Sequence, residues 1–496
     1  MNNENSSTDK FTRREFIGKT SAVAAGLIIL PGHVIAGQGH IPPSDKLNIA
    51  AIGVGKGGKG KVNLENMVGQ NIVALCDVDW DYAGPVFKTY PNAVLYKDYR
   101  EMLDKQKDIE AVVIATPDHS HYHPAAMAMK MGKHVYVQKP LTHSIWEARE
   151  LTRLGRICGV ATQMGTEGHS SDTVRDLTEI IQAGVIGEIR EVHTWTNRPI
   201  WPQGMDRPVK KVKVPKTLEW NLFLGSAPYR PYHPAYTPWN WRGWWDFGTG
   251  ALGDMGCHIL DVPFYALKLG SPVSFEASSS PVNIESAPIA SQIEYIFPAR
   301  DPLPNLQLPE VKLIWYDGGL MPPRIEELSD GQMMGGWGGG NLYIGTRGKI
   351  ISEDYGNNFK VFQADLGYSK PPASIERIPD HPLGGGRHEM DWVRACKESP
   401  ETRRKPASDF DLAGPLSEMV VAGNLAIRLQ GLQRKIAWDA ANMKIKNIDP
   451  EEKLTLLTTH TNYKNGKWTP WMNINTKEVN ALETAEEWIN HKYREF

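Results

Sequence analysis

Residues 47–60 read LNIAAIGVGKGGKG, and this stretch decides the fold. Its first half is a short apolar run bounded by glycine, the pattern of a strand buried on both faces. The run then breaks into Gly53, Gly55 and Gly58, spaced G-x-G-x-x-G. In such a turn one glycine makes the tight bend and the next lets backbone approach a pyrophosphate. The third lets the following helix pack on the strand, with its N-terminal N–H groups aimed at the phosphates. The motif alone is weak in a chain with 46 glycines, so its meaning depends on its surroundings.

Downstream the pattern alternates. Apolar strands are expected at 71–78, 111–116, 134–137 and 160–164, separated by helices at 58–68, 98–105, 123–131 and 144–158. Short apolar runs joined by helices predict a parallel sheet covered on both faces, and right-handed crossovers make it doubly wound. From residue 165 the texture changes. A helix at 173–183 and a strand at 189–196 lead into an irregular stretch, 198–249, rich in Pro, Trp and Tyr. A helix at 253–267 follows, then strands at 292–297, 311–316, 341–344 and 349–352, and helices at 388–397 and 414–429. The expected class is α/β: an N-terminal doubly wound parallel sheet, then an α+β domain with a large, mostly antiparallel open sheet. Domains are placed at 45–165 and 166–437, with the last helix packing back on the first domain. A C-terminal extension, 438–496, ends in a polar helix at 478–494.

Composition excludes some functions. At net charge −2 the chain lacks the basic excess that nucleic-acid binding needs. The four cysteines show no metal-ligand spacing. Residues 1–36 are read as an export signal: a twin-arginine pattern around Arg13-Arg14, an apolar run too short to span a bilayer, and a small-residue cleavage site. No later segment reads as transmembrane, so the expected location is periplasmic or extracytoplasmic.

Several residues carry chemistry. Asp77 ends the second strand, 19 residues after Gly58, where a carboxylate can accept both ribose hydroxyls and repel a 2′-phosphate. No arginine follows it, which favours NAD over NADP. The third strand runs into Thr116-Pro117 and His121, the fourth into Gln138-Lys139-Pro140. Both turns lie at carboxyl ends of parallel strands, where ligands bind. Asp254 and His258, at i and i+4 in GALGDMGCHILD, share a helical face, with Asp261 beyond them. A histidine between two carboxylates can be oriented for proton transfer. A metal is the rival reading of the same pair, but no third ligand stands nearby and none is assigned. Upstream, Trp239, Trp241, Trp244 and Trp245 crowd one loop, and aromatic faces suit sugar rings. Arg198, Trp241, Trp245, Asp254 and His258 are the candidate substrate contacts.

AIGVGKGG, ALCDVD, VVIATPDHSHYHPAAMAMKMGKHVYVQKP and GALGDMGCHILD together resemble the Gfo/Idh/MocA oxidoreductases over residues 47–437. The resemblance implies a Rossmann domain and an open-faced α/β domain, with NAD or NADP between them and a sugar or polyol substrate. It makes Lys139, Asp254 and His258 the catalytic lysine, aspartate and histidine, and it implies a homo-oligomer. The family has Glu-Lys-Pro where this chain has Gln138-Lys139-Pro140. The loss of that negative charge lowers the expected pKa of Lys139.

The expected mechanism puts NAD across Gly53–Gly58, with Thr116, Pro117, Gln138 and Lys139 along it and His121 near the nicotinamide. Lys139 hydrogen-bonds the reacting hydroxyl and His258, oriented by Asp254, takes its proton. An exported enzyme meets no free NAD, so a tightly held cofactor is expected. Three functions stand in order: a sugar or glycoside dehydrogenase, an NAD-dependent glycoside hydrolase that oxidises C3 transiently, and a non-catalytic sugar-binding protein.

Overall fold

The computed structural model describes residues 45–363, 370–464, 467–490 and 493–494. The twin-arginine stretch lies outside them. Residues 47–496 form one compact unit, distinct from 1–46, of which only Asp45 and Lys46 are described.

The first sheet is built from β1 (Asn48–Ile52), α1 (Lys59–Asn66), β2 (Asn71–Cys76), α2 (Trp80–Thr89), β3 (Val94–Tyr96) and α3 (Tyr99–Lys105). It continues through β4 (Ala111–Ile114), α4 (Tyr122–Lys130), β5 (His134–Val137), α5 (Ile145–Cys158) and β6 (Thr162–Met164). All six strands pair in parallel, in the order β3-β2-β1-β4-β5-β6. Order reverses beside β1, so the connections that leave the carboxyl ends of β1 and β4 run to opposite faces of the sheet and leave a crevice between them. Strands β1 and β4 are apolar and buried on both faces, as a helix-covered sheet requires.

The second layer begins with α6 (Asp172–Gln182), β7 (Ile189–Thr196), the short α7 (Trp220–Leu224), α8 (Gly250–Ile259) and α9 (Asp261–Ala266). Strands β8 (Ser274–Ser279), β9 (Ser291–Phe297), β10 (Arg300–Leu303), β11 (Leu306–Leu308) and β12 (Val311–Tyr316) follow. Then come β13 (Gly339–Gly345), β14 (Gly348–Glu353), β15 (Lys360–Gln363), α10 (Arg387–Lys397), α11 (Phe410–Leu429), β16 (Ile436–Asp439) and β17 (Lys444–Ile445). Nine strands form one sheet, β15-β14-β13-β7-β12-β9-β8-β16-β17, antiparallel except at β7 and β12. The expected α/β class with two such sheets is what the chain adopts. Helix α11 packs on α5 and α8, and its Ser417 hydroxyl accepts from Leu141 N, so it joins the two layers beside the crevice.

Several elements differ from the sequence reading, among them the unforeseen strands β8, β10, β11 and β15. Helix α2 and strand β3 were not expected, because Gly84 and Pro85 interrupt the α2 pattern. Asp79 starts that helix by accepting from the backbone of Asp81 and Tyr82. The single helix expected at 253–267 is two, broken at Leu260. The extension is a hairpin, β18 (Lys453–Lys464) and β19 (Lys467–Asn480), followed by α12 (Ala481–Ile489). That last helix is not a polar one: Trp488 is buried and stacks on His143 at 4.9 Å. Among the described residues no helix is long and apolar enough to cross a membrane.

Candidate active site

The glycine turn has the shape its spacing predicts, with one reassignment. Gly53 takes φ +81°, and a Cβ there would lie 2.6 Å from the Ala115 carbonyl. A Cβ on Gly60 would lie 2.2 Å from the Gly53 carbonyl, whereas one on Gly58 meets nothing closer than the Gly55 carbonyl at 3.3 Å. Gly60, not Gly58, is therefore what lets α1 pack on the strand. Gly58 caps α1 without a side-chain bond, and no acidic residue follows in the first turn, so that helix end suits an anion. Gly55 and Gly57 face the Tyr82 ring, which a Cβ on Gly55 would strike at 2.1 Å.

Asp77 closes this end. Its Oδ2 accepts from Val54 N at 2.8 Å and its Oδ1 from Asp79 N at 2.9 Å, and helix capping falls to Asp79 instead. Burial pushes the Asp77 carboxyl up to about 6, against the pull of those backbone donors. The uncapped helix end, the bare glycine turn and a carboxylate at the end of β2 fit the pyrophosphate and ribose of a dinucleotide.

At the other end, β5 delivers Lys139 beside α8. Lys139 Nζ donates at 2.7 Å both to Asp254 Oδ1 and to the Asp254 backbone carbonyl, and the Lys139–Pro140 peptide is cis. Burial draws Lys139 below the ordinary lysine range; Asp254 opposes this and Arg242 adds to it. Burial alone would raise the Asp254 carboxyl, but Lys139 and Arg242 outweigh it and hold it far below the usual range. Arg242 was not foreseen as a site residue. Its Nε lies 3.3 Å from Asp254 Oδ1, its Nη1 donates to Asp118 at 3.2 Å, and its guanidinium lies 4.3 Å from the Trp241 ring centre. Asp118 also accepts from Thr249 N at 3.0 Å, which fixes the start of α8 to the turn after β4.

Of the candidate cofactor, catalytic and substrate residues, all but His121, Trp245 and His258 line one cleft of about 470 Å³. His121 sits behind it, with Nδ1 2.9 Å from the Pro140 carbonyl and Nε2 2.8 Å from that of Thr116; burial lowers its pKa. It braces the two ligand-facing turns rather than touching the cleft. Trp245 is packed under the loop, its Nε1 donating to the Asn283 carbonyl. Trp244, Tyr236 and Phe247 are likewise buried core, while Trp239 and Trp241 face the cleft.

His258 lies one helical turn beyond Asp254, buried, with its ring 4.8 Å from that of Tyr355. Neither expected carboxylate bonds to it. Asp254 is committed to Lys139, and the helix break at Leu260 swings Asp261 away, so that it pairs with His169 at 2.8 Å. His258 Nδ1 is buried without a partner, and burial, reinforced by Lys139, holds its pKa well below 6.5. Neutral imidazole at this point can accept a proton. Tyr355 holds φ +56°, a left-handed conformation costly for tyrosine, against Gly168, whose Cβ would strike its ring.

Residues 47–166 match the family model of the GFO_IDH_MocA oxidoreductases, NAD-binding Rossmann fold, and residues 170–299 match its C-terminal alpha/beta domain. D-glucoside 3-dehydrogenase of Escherichia coli is 26% identical over 48% of this chain and 58% of its own length. A glycosyl hydrolase family 109 protein of Solibacter usitatus is 31% identical over 36% of this chain and 44% of its own length. The chain thus spans about half the length of these two relatives. An inositol dehydrogenase homolog from Azotobacter vinelandii, solved with NADH and myo-inositol, shares the fold at TM-score 0.51 and 16% identity, over 79% of this chain and 98% of that one.

Proposed function

As this chain belongs to the Gfo/Idh/MocA oxidoreductase family and carries its NAD-binding Rossmann fold, we propose that it is an NAD-dependent dehydrogenase of a sugar or glycoside hydroxyl. The observation that carries this reading is the Lys139–Asp254 pair on the wall of the same cleft as the glycine turn. Bound NAD would supply the hydride acceptor; Asp77 would hold its adenosine ribose and the Gly53–Gly58 turn its pyrophosphate. Lys139 donates a hydrogen bond to the reacting oxygen and stabilises the charge that develops there. Asp254 keeps that ammonium protonated and aimed. His258, held neutral one turn of α8 beyond Asp254, would take the hydroxyl proton once substrate binding uncovers its ring, which lies behind the cleft wall. Arg198 and Trp241, which line the same cleft, contact the sugar.

The relative among glycosyl hydrolases supports a second reading, in which oxidation is transient and the aglycone is eliminated. One incubation with NAD and 4-nitrophenyl glycosides separates the two. Net appearance of reduced nicotinamide supports the dehydrogenase; nitrophenolate release without it supports the hydrolase. Neither signal with any glycoside would leave a sugar-binding protein and overturn both.

We further propose that the Arg13-Arg14 signal exports the folded protein with its cofactor held tightly, and that it assembles as a homo-oligomer. An Arg13→Lys/Arg14→Lys variant retained in the cytoplasm supports export by that route; equal periplasmic recovery refutes it.

A further inference from the structure

Gln138 is wired away from the cleft through two buried side chains. Its Nε2 donates to Asn63 Oδ1 at 2.9 Å, and Asn63 Nδ2 in turn donates to Glu389 Oε1 at 2.9 Å. Asn66 Nδ2 donates to the same carboxylate oxygen at 3.0 Å. Asn63 is fully buried, Glu389 is 1% exposed and Gln138 is 5% exposed. The amide of Gln138 fits only because residue 165 is glycine, where a Cβ would lie 2.4 Å from Nε2.

The polarity of this chain is set at its far end. The NH2 groups of Asn63 and Asn66 converge on Glu389 Oε1, which accepts from both, so Asn63 turns its NH2 to Glu389 and its carbonyl to Gln138. Gln138 must then turn its own NH2 to Asn63. Gln138 lines the cleft, and among the described residues none donates to its carbonyl Oε1. A free acceptor beside Lys139 suits a hydroxyl or amide donor of the nicotinamide half of the cofactor.

We propose that Glu389 and Asn63 are positioning residues for NAD: they fix the amide of Gln138 so that its carbonyl, not its NH2, faces the cleft. Glu389 lies 326 positions from Asn63 on α10, and so couples the C-terminal part of the chain to the nucleotide site. The inference rests on NAD binding in this cleft and not on which sugar is oxidised.

The test is titration calorimetry with NAD and with NADH, alongside thermal melts. Gln138→Glu should set an acceptor against an acceptor somewhere along the chain, weakening NAD binding by about tenfold or more and lowering the Tm. Glu389→Gln alone should weaken NAD binding by about threefold at nearly unchanged Tm, because the amides can now reverse. The double variant restores a complete donor–acceptor series of reversed sense once the part-buried Asn66, which donates to the same oxygen of residue 389, turns its own carbonyl to it. In it the new amide on α10 donates to Asn63, and Asn63 donates to the new carboxylate that precedes Lys139. It should bind NAD within about threefold of the wild type. If the double variant binds no better than Gln138→Glu, the proposal fails. It fails also if Glu389→Gln leaves affinity untouched. Where Gln138→Glu does not fold, recovery of folding and binding in the double variant supports it, and no recovery overturns it. Failure of the wild type to bind NAD would instead sink the cofactor assignment.

Discussion

Lys139 Nζ and Asp254 Oδ1 stand 2.7 Å apart, and Arg242 Nε approaches the same oxygen at 3.3 Å, so one carboxylate oxygen serves two cations. Asp254 and Arg242 act on Lys139 in opposite directions, with Asp118 adding to the effect of Asp254. Asp254 favours its protonated form and Arg242 disfavours it, on top of the larger effect of burial. The alkaline limb of kcat/KM, where Lys139 loses its proton, should therefore lie below the range of an ordinary lysine. Asp254→Asn should move that limb to lower pH, and Arg242→Gln should move it to higher pH. Rate–pH profiles of the two variants check this, and shifts of the same sign would contradict it.

His258→Ala should cut turnover by about 10²–10⁴-fold, the usual contribution of a positioned base, with NAD affinity unchanged. In the wild type the imidazole is neutral throughout the neutral range, because burial holds it well below 6.5. The acid limb of kcat/KM should accordingly fall below pH 6.5. Full activity of the alanine variant would remove His258 from the mechanism.

Asp77 links pH to cofactor. With its folded carboxyl raised to about 6 from 3.8, the protonated form is favoured in the folded apoprotein. The stability this group contributes is present below pH 3.8 and lost as pH rises through about 6. Only the ionised form accepts from both ribose hydroxyls, so NAD should bind more tightly as pH rises through that value. The rise in Tm given by saturating NAD should grow between about pH 5 and pH 7 in the wild type and stay flat in Asp77→Asn. The variant should also bind NAD about tenfold or more weakly at pH 7.

The two glycines at the start of α1 should separate. Gly60→Ala forces a methyl to 2.2 Å from the Gly53 carbonyl and should cost about 1–3 kcal/mol. Gly58→Ala, with 3.3 Å to its nearest neighbour, should cost under about 1 kcal/mol. Urea midpoints of the apoproteins check both, and the reverse order would return the packing role to Gly58.

The parts of the site legible in sequence are those that spacing determines. Gly53, Asp77 and Lys139 each end a strand of one parallel sheet, and that sheet brings strand ends together at a single edge. Asp254 and His258 share a helix, so their relative placement was also legible. What failed was partner choice. Asp261 was expected beside His258, but the turn at Leu260 gave it to His169. His121 occupies a ligand-facing turn yet has both ring nitrogens turned to backbone carbonyls, to one of which a neutral ring can donate. Arg242, in the irregular 198–249 stretch, carries no period to mark it, and Glu389 meets Asn63 only through the tertiary fold.

The packing of α12 has a consequence for how the molecule is made. Tyr493 donates to Glu147 Oε1 at 2.8 Å, across 346 positions, while Trp488 closes over His143. A nascent chain that has exposed the whole nucleotide-binding half still lacks the residues that cover its α5 side. That half therefore reaches its final packing only after residue 493 has left the ribosome, so its α5 side depends on a segment made 346 positions after it.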